Sequence, residues 1–508
     1  IKILLEKNHK FIDYFLSFLV FLMMFKVFLL SSYKDIFHYS WYLGTINSLN
    51  SDNSLLINVV SQYGFLNILT ISKLSNFFAL NSSHVLVGFT IFLLVIFYYI
   101  FYSELIKLVK LPLFIITIFL SFLIFSNIGY NNLSGSILIP SSSVFRFFPS
   151  LISIVLFSKL LRDNAKNLIN ILLFYLSLFI SLLWSFESAF FVIFSIGSYL
   201  IFFLILNVKK LNSFQIKNLK NKYMFLFGIF FLFTLIILFK DKNIYLFYEH
   251  ALNTNASLAE GIKNNKVTLF YFFLLILSYI ILRDSFAVKK IFLFNILWFA
   301  LFVSYSAYFL NRSVDNNVFN ILPFIFFTIV IMKINSNTIN NLRKISIKLI
   351  IYLTILSSTF SIINNKEKFL QNILNPNLLV VPQFLSNEYR PHPKILEKIR
   401  SYKSIPVTLI SGKFIHNPNI NLPSYGYGLP ILPLEQFNIL DISIKQKLMD
   451  SYFDKNEKHL LLCINDCNFY KSDTDNDIYN KIFIGKNINI IKINEQNTFR
   501  GIEYLYSF

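Results

Sequence analysis

Residues 168–207 read LINILLFYLSLFISLLWSFESAFFVIFSIGSYLIFFLILN, and Glu187 is the sole charged side chain among them. Two apolar runs, 168–184 and 187–207, are separated by no more than the turn Trp184-Ser185-Phe186-Glu187. A helix needs roughly 20 apolar residues to cross the hydrocarbon core of a bilayer. Each run is near that length, and so short a turn makes the two helices neighbours. The stretch reads as a pair of membrane-spanning helices with a carboxylate at the tip.

The same pattern extends in both directions. Spans are expected near residues 11–31, 84–103, 111–128, 147–161, 168–184, 187–207, 223–239, 267–282, 291–310, 317–332 and 346–363, about eleven in all. The first run, Phe11 to Leu30, is too long for a signal-peptide core and lacks a small-residue cleavage site, so it is expected to be a span. The span at 147–161 carries Pro149 in its expected first turn, where a missing N–H has no intrahelical partner to lose. Composition agrees with this reading. The chain is 55% hydrophobic and 14% charged, against roughly 25% charged residues in soluble domains. Its mean hydropathy is +0.59. A soluble chain of 508 residues could not hide that much apolar surface.

The formal charge of +20 has a simple distribution. Basic residues fall in alternate loops: Lys2, Lys7 and Lys10; Lys107 and Lys110; Lys159, Arg162 and Lys166; Lys209, Lys210, Lys217, Lys220 and Lys222; Arg283, Lys289 and Lys290; Lys333, Arg343 and Lys344. The positive-inside rule places these loops in the cytoplasm. An odd number of spans follows, with the N-terminus cytoplasmic and the C-terminus on the far, periplasmic side of a bacterial inner membrane. A nucleic-acid partner would need a basic patch on a soluble fold, and none is visible. Two cysteines, Cys463 and Cys467, exclude a disulfide scaffold and a four-cysteine zinc site; a single disulfide and two free thiols both stay open. No His, Cys, Asp and Glu set has metal-ligand spacing, and no glycine-rich phosphate loop precedes a helix. No cofactor or metal is expected.

The expected architecture is thus an α-helical polytopic membrane domain over residues 1–363, followed by a C-terminal α/β extracytoplasmic domain over 364–508. The long first outer loop, 32–83, contains apolar runs at 55–60 and 65–71 and is expected to form short helices on the outer leaflet. In the tail, Ile405–Ser411, His459–Ile464 and Ile488–Ile493 read as strands. Residues 393–402 and 442–452 read as helices, the alternation of a small α/β fold.

Chemistry is sought at the outer helix ends, where a lipid-linked substrate has access. Asp35 follows the first span and is placed to act as a general base; otherwise it is a solvated loop acid. Arg146 starts a span on the outer side, and its planar fork suits a phosphate; the alternative is an arginine snorkelling to headgroups. Glu187, between two apolar runs, is a functional candidate by its cost alone, or else an interhelical bond that fixes the turn. Arg312 lies at another outer end, with Asp315 near enough in sequence for a local ion pair. His250 sits in the outward loop 240–266, as a proton carrier or as a solvated histidine.

Five segments, taken in order, carry a resemblance. They are Asp35-Ile-Phe-His38-Tyr-Ser-Trp-Tyr42-Leu43-Gly44, Ser61-Gln62-Tyr63-Gly64, Ser141-Ser-Ser-Val-Phe-Arg146, Leu183-Trp184-Ser-Phe-Glu187 and Asn311-Arg312-Ser313. Their order, and their shared position on the outer side, resembles bacterial membrane glycosyltransferases of the GT-C fold, among them the dolichyl-phosphate-mannose-mannosyltransferase-like proteins. The resemblance covers residues 1–363. It implies a polyprenyl-phosphate-linked sugar donor and a glycan or lipid acceptor on the periplasmic face. It also implies a carboxylate base in the first outer loop, which Asp35 matches. That family often has a pair of acidic residues there, whereas here Asp35 stands alone near the helix end, with Asp52 further on. Arg146, Glu187, Arg312, His38, Gln62, Tyr63 and His250 are the expected substrate- and phosphate-binding residues. Two other classes fit the topology: a polymerase or ligase of lipid-linked glycans, and a transporter or flippase without chemistry. A transporter predicts broken helices and ionisable groups at mid-membrane. A fourth reading, a structural or assembly protein, predicts that the outer polar residues do not converge.

Overall fold

The computed structural model describes residues 2–31, 64–109, 111–125, 144–163, 167–211, 266–311 and 315–336, helical pieces within 42–49 and 348–374, and five strands in the tail. The chain divides into two compact units. One comprises Ile1–Ser32, Phe89–Thr234 and Glu260–Val380, and the other Tyr33–Gly88, Leu235–Ala259 and Val381–Phe508.

The helices are α1 (Lys2–Ser31), α2 (Leu66–Phe78), α3 (Ser82–Leu108), α4 (Leu113–Phe125), α5 (Val144–Arg162), α6 (Leu168–Trp184), α7 (Phe186–Leu211), α8 (Lys266–Ser285), α9 (Lys289–Asn311), α10 (Asp315–Asn335) and α11 (Lys366–Leu374). Among the described residues, five helices are long and apolar enough to cross a membrane: those at Ser82–Leu108, Val144–Arg162, Phe186–Leu206, Thr268–Ser285 and Lys289–Leu310. Those at Leu113–Phe125, Leu168–Trp184 and Asn320–Asn335 are apolar but shorter. The chain is a helical membrane protein with several spans. The span expected at 223–239 lies outside the described residues, and that at 346–363 is described only in part.

In the first unit, aromatic contacts fix the helix directions. Phe97 of α3 stacks on Phe324 of α10 at 4.8 Å, and Phe101 meets Phe327 at 5.2 Å, so α3 and α10 run the same way. Phe89 meets Phe145 and Phe97 meets Phe148, which sets α5 parallel to them. Phe191 of α7 lies beside Phe147, and Tyr199 beside Phe157, so α7 is parallel to α5. α6 and α9 run back: Trp184 meets Phe145 while Phe174 meets Phe157, and Tyr305 meets Phe324 while Trp298 meets Phe327. α9 packs against α7 and α10, α5 against α6 and α7, and α1 against α4. In α5 and α9, 72% of the apolar window is buried, against 28% in α7, so α5 and α9 are central and α7 is peripheral.

Bilayer hydrocarbon offers polar groups no water, so polar side chains in the helices seek partners inside the protein. Helix hydroxyls return to their own carbonyls, as Ser195 does to Phe191 (2.6 Å) and Thr328 to Ile325 (2.7 Å). Others tie helices together: Ser153 to Ser181 at 2.8 Å, and Asn295 to Ser336 at 2.8 Å. Asp13 of α1 accepts the backbone N–H groups of Leu113 and Phe114 at 2.8 and 3.1 Å. The first turn of a helix leaves such donors without intrahelical partners, so a residue from another helix caps α4. That cap places the start of α1 and the start of α4 at one end of the unit.

The same end collects Lys107, Lys159, Arg162, Arg283, Lys289, Lys290 and Lys333. Arg162 donates to Asn335 at 2.9 Å there, and Lys289 to the carbonyl of Leu206 at 2.5 Å. The opposite end holds the starts of α5 and α7 and the end of α6. It also holds the far end of α1, where Lys26 donates to the carbonyl of Ile373 at 2.9 Å and Asn372 to that of Val27 at 3.3 Å.

The second unit contains α2 and a five-stranded sheet: β1 (Val407–Ser411), β2 (Tyr425–Tyr427), β3 (His459–Ile464), β4 (Ile488–Ile493) and β5 (Glu503–Tyr506), ordered β2-β1-β3-β4-β5. All pairs are parallel except β4 with β5. Parallel neighbours require crossover connections, but the connections expected to be helical, at 393–402 and 442–452, lie outside the described residues. α2 falls within the loop read as outer-leaflet helices. It buries Asn67, Ile68, Ile71, Ser72 and Ser75, exposes Phe77 and Phe78, and ends on Ala79 with φ 51°.

Candidate functional site

The site grows from the proline inside α5. Its helix starts at Val144, so Pro149 lies beyond the first turn and not within it, as the expected start at 147 would have it. The helix reaches back because Val144, Phe145, Phe147 and Phe148 are all buried and hold that turn in place. A proline inside a helix has no N–H for the carbonyl four residues earlier. For Pro149 that carbonyl belongs to Phe145, and the indole Nε1 of Trp184 donates to it at 2.6 Å. The next carbonyl, that of Arg146, accepts the hydroxyl of Ser188 at 2.8 Å. The α6–α7 turn therefore supplies side-chain donors to the backbone that Pro149 disturbs.

The turn itself is built by Ser185, which ends α6 and caps α7. Its φ of −153° and ψ of 158° break the helix, and its hydroxyl accepts the N–H of Ser188 at 3.1 Å. This is the standard N-cap bond, from a short polar side chain to an amide in the first turn. The cap fixes Glu187 in the first turn of α7, where the helix dipole favours a negative charge.

Glu187 then meets Arg146. Arg146 Nη2 donates to Glu187 Oε1, and the two residues are 7% and 8% exposed. The guanidinium also lies over the rings of Tyr308 (5.2 Å) and Phe147 (5.8 Å), within cation–π range. Trp184 packs between Phe89 and Phe145 with ring centroids at 6.1 and 5.4 Å. Below the pair, Ser150 and the hydroxyl of Tyr305 share a 3.2 Å bond. Glu187 Oε2 is buried and has no hydrogen-bond partner among the described residues. A buried carboxylate oxygen without a donor is costly, and the same holds for a charge pair taken out of water.

The residues expected from sequence divide cleanly. Arg146 and Glu187 are brought together, although 41 positions apart. Tyr308, Ser185 and Ser188 are site residues that sequence reading passed over. Asp35, His38, Gln62, Tyr63, His250, Arg312 and Asp315 lie outside the residues whose side chains are described, as do Cys463 and Cys467. Comparison with family models, curated proteins and solved structures found no match to the chain.

Proposed function

We propose that the chain is a membrane glycosyltransferase that moves a sugar from a polyprenyl-phosphate donor to a glycan or lipid acceptor. In this reading it spans a bacterial inner membrane about eleven times, with its N-terminus cytoplasmic. The tail from 364 forms an α/β domain in the periplasm. The observation that carries the reading is the buried Arg146–Glu187 pair. It sits at the end of the helical unit opposite the collection of lysines and arginines, which is the periplasmic end under the positive-inside rule. Ionisable groups retained inside a membrane protein at such cost mark sites of function, not general stability.

The proposed reaction is a displacement at the anomeric carbon. The acceptor oxygen forms its bond to that carbon and passes its proton to Asp35. The bond from the carbon to the phosphate oxygen breaks, and its electron pair leaves on the lipid phosphate. Arg146 and Arg312 are the cations assigned to that developing charge. His38, Gln62, Tyr63 and His250 are assigned to the substrate. A charged pair at the helix ends, not at mid-membrane, favours an enzyme over a transporter.

The test is release of polyprenyl phosphate from labelled polyprenyl-phosphoryl hexoses by the purified chain in proteoliposomes, with envelope extract as acceptor. Wild type is expected to release it, and a folded Asp35→Asn variant is expected not to. Turnover by the Asn variant removes Asp35 from the mechanism, and no release by wild type removes the enzyme reading. Turnover only with oligosaccharide donors makes the chain a polymerase or ligase.

A further inference from the structure

We infer that Glu187 Oε2 is an acceptor site for one hydroxyl of the donor sugar, which makes Glu187 a specificity-determining residue. The inference rests on the glycosyltransferase reading above. Three observations support it. The two carboxylate oxygens of Glu187 are in different states: Oε1 is held by Arg146, and Oε2 is buried without a hydrogen-bond partner among the described residues. The side chain is held at its head by Arg146, and the helix turn that carries it is fixed by the Ser185 cap on the N–H of Ser188. Oε2 is therefore held in one position instead of sampling alternatives. Finally, the pair has no net charge. A cationic ligand would gain from Glu187 and lose to Arg146 at nearly the same distance, so no Coulomb advantage selects an ammonium group. A neutral hydrogen-bond donor therefore fits Oε2 best, and the sugar of the polyprenyl-phosphate substrate presents hydroxyls.

Tyr308 lies beside the same pair. It is half-buried, its ring covers the guanidinium, and it makes no hydrogen bond among the described residues. A ring in that position supplies an apolar edge for the sugar's C–H face while Glu187 reads a hydroxyl. Sites built to bond a hydroxyl discriminate strongly against an analogue that lacks it, because the protein group is left unpaired.

The Glu187→Gln variant inverts the site. Its amide oxygen faces Arg146, so the NH2 group occupies the place of Oε2, and an acceptor becomes a donor. Binding is measured with the full chain in nanodiscs. The probes are undecaprenyl-phosphoryl hexoses and, for the tightest of them, analogues with fluorine replacing each hydroxyl in turn. Fluorine cannot donate a hydrogen bond. Wild type is expected to reject one of these analogues by roughly tenfold to a hundredfold, the size of a hydrogen bond to a charged group. Glu187→Gln is expected to lose that discrimination while keeping its preferences at the other positions. Glu187→Asp retains the charge but withdraws the oxygen by one methylene, and it serves if the Gln variant does not fold; it is expected to lose the same discrimination. Unchanged preferences in both variants, or an equal weakening for every analogue, would overturn the inference and leave Glu187 as a clamp or a water site. Failure of wild type to bind any of the hexose donors would overturn the glycosyltransferase reading as well.

Discussion

Removing one member of the Arg146–Glu187 pair should cost far more than removing both. Each residue is more than nine-tenths buried, so Glu187→Leu takes its ion-pair partner from a buried guanidinium and Arg146→Met takes the donor from a buried carboxylate. Breaking a buried ion pair from one side costs about 3–5 kcal/mol. The double variant Arg146→Met, Glu187→Leu replaces the pair by apolar groups of similar size. It should fall within about 1–2 kcal/mol of wild type. The assay is reversible unfolding in mixed micelles by SDS titration, followed by tryptophan fluorescence. Additive losses, with the double variant the least stable of the three, would refute the reasoning.

Three further predictions concern the surrounding structure. Trp184→Phe deletes the indole donor to the Phe145 carbonyl and should cost about 1–3 kcal/mol. In a Pro149→Ala background, where residue 149 regains its N–H, the same change should cost clearly less; equal costs in the two backgrounds would show that Pro149 and Trp184 are independent. Asp13→Ala uncovers the first turn of α4 and should lower stability by about 1 kcal/mol, read in the same titration; no change would mean that water or another group caps α4 equally well. Ser185→Ala should cost about 0.5–2 kcal/mol through the loss of the α7 cap, whereas Ser185→Asp should retain most of the stability.

Much of the helical architecture was open to reading from apolar runs alone, because a bilayer imposes both length and composition on a span. The turn at Trp184–Glu187 is the clearest case: an interruption of so few residues between long apolar runs admits little else, and Ser185 breaks the helix there. The start of α5 was harder. Ser141, Ser142 and Ser143, followed by Arg146 so close to Pro149, resemble a loop in sequence, and only the burial of Val144 and Phe145 shows why the helix begins as early as Val144. Arg146 and Glu187 were each recognisable as costly charges at outer ends. Their partnership was not, since no periodicity relates residues on different helices. The signal was there in principle: an isolated cation and an isolated anion at the same end of adjacent hairpins. Tyr308, Ser185 and Ser188 carried no comparable signal. A tyrosine or a serine costs little in a helix, and its role becomes visible only when its partner does. The cap of Asp13 on α4 was hidden for the same reason.

The most direct test of the central claim is donor binding by the charge-free double variant. Equilibrium binding of polyprenyl-phosphoryl hexose would be measured for wild type and for Arg146→Met, Glu187→Leu in nanodiscs, after the variant's stability has been matched to wild type. If the pair is part of a donor site, wild type binds and the equally stable double variant loses roughly a hundredfold or more in affinity, as expected for deletion of charge-assisted contacts. If the double variant binds as well as wild type, the pair is a clamp between α5 and α7, and the site proposed here is in the wrong place.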